Sequence, residues 1–221
     1  SFWGELTNNS DNDIPAHSNW LLLERGYDYT DHVWGGNQGY LSREIEAESL
    51  LHPIVVDAYG DGDRPIVDGV STWQTSAKKA FVVIRNLQTR HANGSAGSFD
   101  ISYSAHFIGD SLYSYRGSFT SQSITTDEHY LPHHAYYRCM TFQASNDVPG
   151  NGEVGKDPTQ WVPRQNHTQG LYASGLASLL IQDVLMDHNG WRPGYSETGL
   201  DPAFPHPPSM YTHNFYISHE L

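Results

Sequence analysis

The amino-acid sequence predicts an all-β chain whose strands stack as a solenoid, and an internal repeat is the main observation behind this prediction. Short apolar strands recur in four segments, 80–91, 105–116, 134–145 and 178–189, and each contains a small or polar residue at a bend. Helical periodicity is almost absent, with only 42–50 briefly helical or loop-like. One coil cannot bury its own apolar side chains, whereas stacked coils bury a continuous core.

Each segment aligns on one apolar anchor residue, and the anchors recur after about two dozen residues or more, with growing insertions. The anchors are Ile84, Ile108, Tyr137 and Ile181, and the bend residues two places later are Asn86, Asp110, Cys139 and Asp183. Gly, Ser and Asn punctuate the bends, where a positive φ is often needed. A β-sandwich also contains many short strands, but it predicts no repeated anchor and bend, so the solenoid is the preferred architecture.

A further strand precedes most of the anchors. These strands are predicted at 65–69, 98–102, 170–174 and 214–218. Each coil is therefore interpreted as a strand, a short bend, a second strand and a long loop. All long loops are then expected to leave one edge of the solenoid, at 89–98, 114–133, 144–169 and 187–213.

The whole chain, 1–221, is interpreted as a single domain in which 1–19 forms an N-terminal extension or cap and the coils follow from residue 20. The strand at 214–218 opens a coil whose second strand never arrives. A solenoid needs capped ends, because an open coil exposes unpaired backbone and an apolar cross-section. We therefore expect the N-terminal part of a longer β-helix, truncated at its C-terminal end, whose remainder is a candidate partner if it is a separate chain. The alternative is a tail that folds over and caps the end.

One stretch carries a resemblance to a known family. The sequence HPIVVDAYGDGDRPIVDG at 52–69 resembles an early coil of the pectin-lyase-like, right-handed parallel β-helix proteins. LLLERGYDY at 21–29 resembles the strand before it, and 171–191 resembles a later coil. The resemblance implies a right-handed parallel β-helix that handles an extracellular polysaccharide. It leaves the activity open, because this superfamily holds lyases, hydrolases, epimerases and non-catalytic phage spikes.

Composition and charge exclude several classes of partner. The net charge is −13, with 12 basic and 25 acidic residues, which argues against nucleic acid and anionic membranes as partners. Cys139 is the single cysteine, so the sequence has no internal disulfide framework. Aromatic and amide side chains, in which the sequence is rich, suit carbohydrate surfaces. A secreted, extracellular or virion-surface location is expected.

The candidate site is the edge from which the long loops leave. The column six residues after each anchor is Arg90, Ser114, Gln143 and Asp187, and the next column is His91, Tyr115, Ala144 and His188. The predicted catalytic residues are His188, Asp187, Arg116, Arg90 and His91. The predicted substrate-binding residues, mostly aromatic side chains and cations on the loops, are Trp191, Arg192, Arg164, His167, Tyr115 and Trp161. A plainer interpretation of 187–190 is a turn that leaves a strand.

Two chemistries compete on this edge. A lyase for a uronic polymer must neutralise a carboxylate and remove the proton beside it, and arginines with a histidine or tyrosine can do both. A glycoside hydrolase needs two carboxylates, and Asp187 has no convincing partner on a neighbouring coil. We therefore favour β-elimination over hydrolysis. The alternative from another class is a non-catalytic β-helix in a phage tail spike, an adhesin or a surface or matrix structure, and a spike would form a homotrimer.

No cofactor or metal site is predicted firmly. Calcium is an open alternative at four aspartates, Asp57, Asp61, Asp63 and Asp68, because carboxylate oxygens bind Ca²⁺. The YGDGD stretch at 59–63 is first interpreted as a tight turn. Zinc is not expected, since the chain has neither an HExxH motif nor a cysteine pair.

Overall fold

The structure of the chain is a computed structural model, and its regular structure is entirely β. It describes residues 20–30, 45–46, 51–67, 69–71, 79–90, 99–102, 104–115, 119–122, 134–143, 169–187, 189 and 213–218. Across these ranges every strand pairing is parallel. The same ranges contain no helix that is long and apolar enough to cross a membrane. The prediction of an all-β chain of parallel strands is confirmed.

The strands are short, as expected for a chain that turns often. In chain order they are β1 (Trp20–Glu24), β2 (Ile45–Glu46), β3 (Ile54–Tyr59), β4 (Ile66–Val67), β5 (Val70–Ser71), β6 (Lys79–Arg85), β7 (Gln88–Arg90), β8 (Phe99–Ser102), β9 (Ser104–Asp110), β10 (Tyr113–Tyr115), β11 (Phe119–Gln122), β12 (His134–Arg138), β13 (Thr141–Gln143), β14 (Leu171–Ser174), β15 (Ser178–Gln182), β16 (Leu185–Asp187) and β17 (Phe215–Ser218).

These strands form three parallel sheets that the chain visits in a fixed cycle. Sheet 1 has the order β1-β3-β6-β9-β12-β15, with β2 beside β6. Sheet 2 has the order β4-β7-β10-β13-β16, and sheet 3 has the order β5-β8-β11-β14-β17. From β3 onward the chain passes through sheets 1, 2 and 3 five times. Each strand therefore pairs with the equivalent strand of the passage before and after it.

The core consists of the apolar side chains that alternate toward the interior of the three sheets. Its fully or nearly buried members are Leu23, Ile54, Val56, Val67, Val82, Ile84, Leu87, Phe99, Ile101, Phe107, Leu112, Phe119, Ala135, Tyr137, Met140 and Leu171. Tyr137 is the largest completely buried side chain, and its hydroxyl donates a hydrogen bond of 2.6 Å to Ser121 Oγ. Burial raises the pKa of Tyr137, although the bond to Ser121 opposes the shift. The tyrosine therefore links sheet 1 to sheet 3 through a neutral hydrogen bond.

The register of sheet 1 corrects one predicted anchor. Ile84 pairs with Gly109, and Gly109 pairs with Tyr137, so the buried position of β9 belongs to Gly109 rather than to Ile108. A Cβ atom built on Gly109 would lie 3.0 Å from Tyr137 Cδ1 and 3.3 Å from Leu112 Cδ1. The glycine leaves room for the tyrosine ring on the next strand, and the larger apolar residue Ile108 falls on the outer face, where it is half-buried.

In the last four passages, each bend between sheets 1 and 2 contains one non-glycine residue in the left-handed conformation. The residues are Asn86 (φ 58°), Ser111 (φ 55°), Cys139 (φ 51°) and Asp183 (φ 53°). Asn86, Cys139 and Asp183 are the predicted bend residues. The bend after β9 has Ser111 instead of the predicted Asp110, because β9 aligns on Gly109, one residue after the predicted anchor. The amides at these bends donate to carbonyls of the following passage, as in Ser111 N–H to Arg138 O at 3.1 Å. The bends therefore stack in register with the strands.

Asp110 is instead part of a charged ladder on the outer face of sheet 1. Arg85 Nε donates to Asp57 Oδ2 at 2.6 Å, and Arg138 Nη2 donates to Asp110 Oδ2 at 2.6 Å. Burial raises the pKa of Asp110, but hydrogen bonds from Arg138 and Ser111 and the nearby arginine charges outweigh it, so the pKa is lowered overall. Alternating charges on successive strands satisfy each other and fix the strands in register.

Two further predictions about the elements were wrong. The segment 114–133 is not one loop, because β11 lies within it and pairs with β8 and β14. The segment 42–50 contains the strand β2 rather than a helix or loop alone, because β6 extends beyond β3 and its first residues need a backbone partner. The four strands predicted at 65–69, 98–102, 170–174 and 214–218 are confirmed; the first is β4 of sheet 2, and the other three belong to sheet 3.

Candidate functional site

The outer face of sheet 2 brings together the predicted site residues that lie within the described ranges. Arg90 pairs with Tyr115, Tyr115 pairs with Gln143, and Gln143 pairs with Asp187. We call these four residues the site column, and adjacent members are spaced by about 4.8 Å along the sheet. The backbone register therefore aligns an arginine, a tyrosine, a glutamine and an aspartate on four neighbouring strands; for Arg90 and Gln143 only this register is described.

Ser114 was expected in this column, and that prediction was wrong. Ser114 pairs with Thr89, and both side chains are completely buried. Since successive residues of a strand point to opposite faces, the one-residue shift at Gly109 moves Tyr115 outward and Ser114 inward. Tyr115 consequently joins the column of Arg90 and Asp187 instead of the column of His91 and His188.

A second outer column runs beside the site column and carries another tyrosine. Its members are Ile66, Gln88, Tyr113, Thr141 and Leu185. The rings of Tyr113 and Tyr115 lie 6.4 Å apart between centroids, inclined by 37°. Burial, the neighbouring Tyr115 and the charge of Asp187 together raise the pKa of Tyr113. Tyr113 is therefore a protonated hydrogen-bond donor at neutral pH.

The outer face of sheet 3 carries an aromatic surface that was not predicted from the sequence. Tyr172 and Tyr216 stack with centroids 5.8 Å apart and an interplanar angle of 11°. His213 stacks on Tyr216 at 5.6 Å. Thr120 pairs with Tyr172 on the next strand. A signal was present, because a tyrosine is the second residue of both LYAS in β14 and FYIS in β17, where strand alternation predicts an outward side chain.

A buried asparagine fixes the end of sheet 2 against the start of sheet 3. Asn189, two residues after Asp187, is only 1% exposed, and its Nδ2 donates to Asn214 Oδ1 at 3.2 Å. A Cβ atom on Gly170 would lie 2.5 Å from Asn214 O and 2.6 Å from Asn189 Nδ2. Gly170 precedes β14 and Asn214 precedes β17. The contact therefore connects the chain just after the site column to the residues that begin the aromatic strands of sheet 3.

The remaining predicted site residues lie outside the described ranges. These are His188, His91, Arg116, Trp161, Arg164, His167, Trp191 and Arg192. Arg90 is placed by its backbone register only. The prediction of these residues as loop partners of the site column therefore stays a prediction.

The aspartates considered for calcium divide into different roles. Asp57 accepts hydrogen bonds from Arg85 Nε, from Asn86 Nδ2 at 2.7 Å and from Ala58 N at 2.7 Å, so its carboxylate belongs to the charged ladder. Asp61 and Asp63 lie in an exposed turn in which Gly60 and Gly62 have positive φ values of 80° and 114°, and Asp68 lies outside the described ranges. In the described part of the chain, no group of three or more His, Cys, Asp or Glu residues could hold a metal ion.

Comparison with known proteins supplies no family for this chain. No family model matches it, and no curated protein or solved structure matches it significantly. The function is therefore inferred from strand register, side-chain chemistry and the positions of the two outer faces.

Proposed function

We propose that the chain folds as a right-handed parallel β-helix that binds and cleaves an extracellular, uronic-acid-containing polysaccharide by β-elimination. The cyclic order of the three sheets supports the fold, because each passage returns to sheet 1 beside the strand it left. Parallel strands joined by such a crossover are right-handed in nearly all proteins, which supports the handedness. The resemblance of 52–69 to an early coil of the pectin-lyase-like proteins is consistent with both.

The site column is the observation that carries the functional proposal. Its backbone register aligns an arginine, a tyrosine, a glutamine and an aspartate in steps of about 4.8 Å, and Tyr113 lies beside Tyr115. An extended sugar polymer offers hydroxyl groups, carboxylates and ring faces along its length. Tyrosines suit such a ligand because each presents an apolar ring and a polar hydroxyl. The stacked Tyr172 and Tyr216 on sheet 3 would extend this surface beyond the column.

The proposed reaction assigns one role to each group. Arg90 offsets the charge of the sugar carboxylate, which makes the neighbouring carbon more acidic. Tyr115, which the register places next to Arg90, acts as a phenolate and takes the proton from that carbon. The electron pair forms a carbon–carbon double bond as the carbon–oxygen bond to the leaving sugar breaks. Tyr113, which a raised pKa keeps protonated, gives its proton to the leaving oxygen.

Hydrolysis is less well supported by this face. A hydrolase needs two carboxylates, about 5–5.5 Å apart for retention of configuration or about 6.5–9.5 Å apart for inversion. Asp187 is at the end of β16, and the adjacent strand β13 contains Thr, Phe and Gln without a carboxylate. Tyr113 and Tyr115 beside the position of Arg90 fit proton abstraction better than hydrolysis by two carboxylates.

The test is to incubate the purified chain with alginate, pectin and a glycosaminoglycan and to record the ultraviolet absorbance of unsaturated uronate. We expect absorbance to rise with at least one polymer. Tyr115→Phe should lower the rate by about 100-fold or more while binding measured by affinity electrophoresis persists. Tyr27→Phe is the matched control, because Tyr27 is 58% exposed near the first strand of sheet 1, and it should retain the rate.

Two results would reject the lyase. One is absence of unsaturated product from every polymer together with binding that Tyr115→Phe leaves unchanged. The other is a stable trimer in sedimentation that binds polymer without cleaving it, which would favour the spike alternative. Reducing-sugar release without ultraviolet absorbance would instead indicate hydrolysis.

A further inference from the structure

The outer face of sheet 1 carries a column of stacked rings near the start of its central strands. Phe81 stacks on His106 with centroids 4.9 Å apart and an interplanar angle of 9°. His106 stacks on His134 at 4.9 Å and 13°. His134 Nδ1 lies 2.7 Å from Ser178 Oγ, within hydrogen-bond distance. The stack therefore links four consecutive strands, β6, β9, β12 and β15, through their side chains.

The backbone beneath the stack is strained at two of its four positions. Phe81 and His106 have φ values of 59° and 55°, a left-handed conformation that residues with large side chains rarely adopt. The pairs on either side, Ala80 with Ala105 and Val82 with Phe107, keep the normal parallel register. Both strands therefore bend at the same place. Such strain persists where surrounding contacts hold it, and the ring stack is the contact present here.

The stack contains two imidazoles that face each other, and this makes it sensitive to protonation. Burial lowers the pKa of His106, and the neighbouring His134 lowers it further. On β15, the neutral hydroxyl of Ser178 lies beside His134. Two like charges at this separation would repel each other across a partly buried contact.

Charged residues also occur on the strands around this pair. Lys79 stands two residues before Phe81 on β6, and Glu46 of β2 pairs with Ala80 in the backbone register. The ion-paired Asp110 lies four residues after His106, about 13 Å farther along the strand, as do the equivalent positions of Arg85 and Arg138. These arginines and aspartates satisfy one another within the charged ladder.

We propose that the Phe81–His106–His134 stack is an acid-sensitive latch that holds the first residues of β6 and β9 in sheet 1. At neutral pH the uncharged rings stack and keep the strained bend closed. On acidification His106 takes up a proton, which weakens its stacking between Phe81 and His134 and releases the bend. The backbone pairs that precede it, including those of β2 with β6, then open first.

The sign of the pH dependence follows from the direction of the pKa shift. A histidine whose pKa is lowered by folding binds protons more readily in the unfolded chain. Its stabilising contribution is therefore complete above the ordinary histidine pKa of about 6.5 and is lost as the pH falls below that value. This window lies above the acid range in which Asp110, whose pKa is lowered, titrates.

The test compares thermal unfolding of the wild-type chain and His106→Phe at pH 7.5 and pH 5.5. Phenylalanine preserves a stacking ring but cannot be protonated, so the midpoint of the wild type should fall by about 2–4 °C more than that of the variant. His213→Gln is the matched control, because His213 stacks on Tyr216 rather than on a second imidazole. It should keep the wild-type pH dependence.

A second measurement applies even if His106→Phe does not fold. In the wild-type chain, the exchange rates of the Ala80 and Ala105 amides relative to their intrinsic rates should increase several-fold from pH 7.5 to pH 5.5. The relative exchange rate of Ala173 in sheet 3 should not change. Equal pH dependence of wild type and His106→Phe would overturn the proposal. Uniform exchange behaviour in Ala80, Ala105 and Ala173 would also overturn it.

Discussion

Substitution of Gly109 by alanine tests the packing of sheet 1 most sharply. The added Cβ atom would lie 3.0 Å from Tyr137 Cδ1, 3.3 Å from Leu112 Cδ1 and 3.4 Å from Met140 Sδ. All three neighbours are buried, with Tyr137 completely inaccessible, so none can move without disturbing the core. Overpacking of this kind costs about 1–3 kcal/mol. For a chain of this size that cost corresponds to a decrease in Tm of about 2–4 °C per kcal/mol.

The assay is thermal unfolding followed by circular dichroism, with urea unfolding as an independent measure of the free energy. The double variant Gly109→Ala/Tyr137→Leu separates packing from backbone effects, because leucine vacates the space that the ring occupies. We expect the double variant to be more stable than the sum of the two single costs predicts. Gly109→Ala with wild-type stability, or strict additivity in the double variant, would refute the assigned register.

Three further perturbations follow from the described contacts. Asp57→Ala removes the acceptor of Arg85 in the charged ladder and should lower the free energy of urea unfolding by about 2 kcal/mol. The cost is limited to this size because Arg85 still reaches solvent, and Asp57→Asn should cost less. Gly170→Ala places a Cβ atom 2.5 Å from a backbone oxygen and should cost at least about 3 kcal/mol, and an unchanged urea midpoint would contradict this contact. The lowered pKa of Asp110 predicts a stability contribution present above about pH 4 and lost as the pH falls further, and Asp110→Asn should flatten the thermal midpoint across that range.

The sequence contained enough information for the strand content and for most of the repeat. Apolar strands and left-handed bends recur because each passage must bury the same interior and turn at the same place. Asn86, Cys139 and Asp183 could therefore be recognised as equivalent from sequence alone. The anchor at β9 could not, because the choice between Ile108 and Gly109 depends on the size of the ring that Tyr137 places opposite. Hydrophobicity favours the isoleucine, and packing selects the glycine.

The site was only partly accessible from the sequence for the same reason. Arg90 and Asp187 were aligned correctly because their segments contain no shift relative to Ile84 and Ile181. The displacement of Tyr115 by one residue followed directly from the wrong anchor. The strand β11 was missed because its Thr, Ser and Gln are polar, although Ser121 is buried as the acceptor of Tyr137. Polar residues that face a core can be identified only when their buried partner is known.

The central claim is that successive passages stack in the register described, and the single native cysteine allows a direct test. Ser111 follows Asp110 and Cys139 follows Arg138, so the two bend residues are neighbours in adjacent passages, with Cα atoms about 4.8 Å apart. This separation allows a disulfide. Asn86 occupies the same bend two strands from Cys139, about 9.6 Å away, which is too far for a disulfide without backbone movement.

The measurement is the intact mass of oxidised Ser111→Cys and Asn86→Cys variants, each carrying native Cys139. We expect Ser111→Cys to lose two hydrogens as a monomer and Asn86→Cys to remain a dithiol under the same oxidant. An intramolecular disulfide in Asn86→Cys together with free thiols in Ser111→Cys would contradict the stacking order, and with it the site column built on that order.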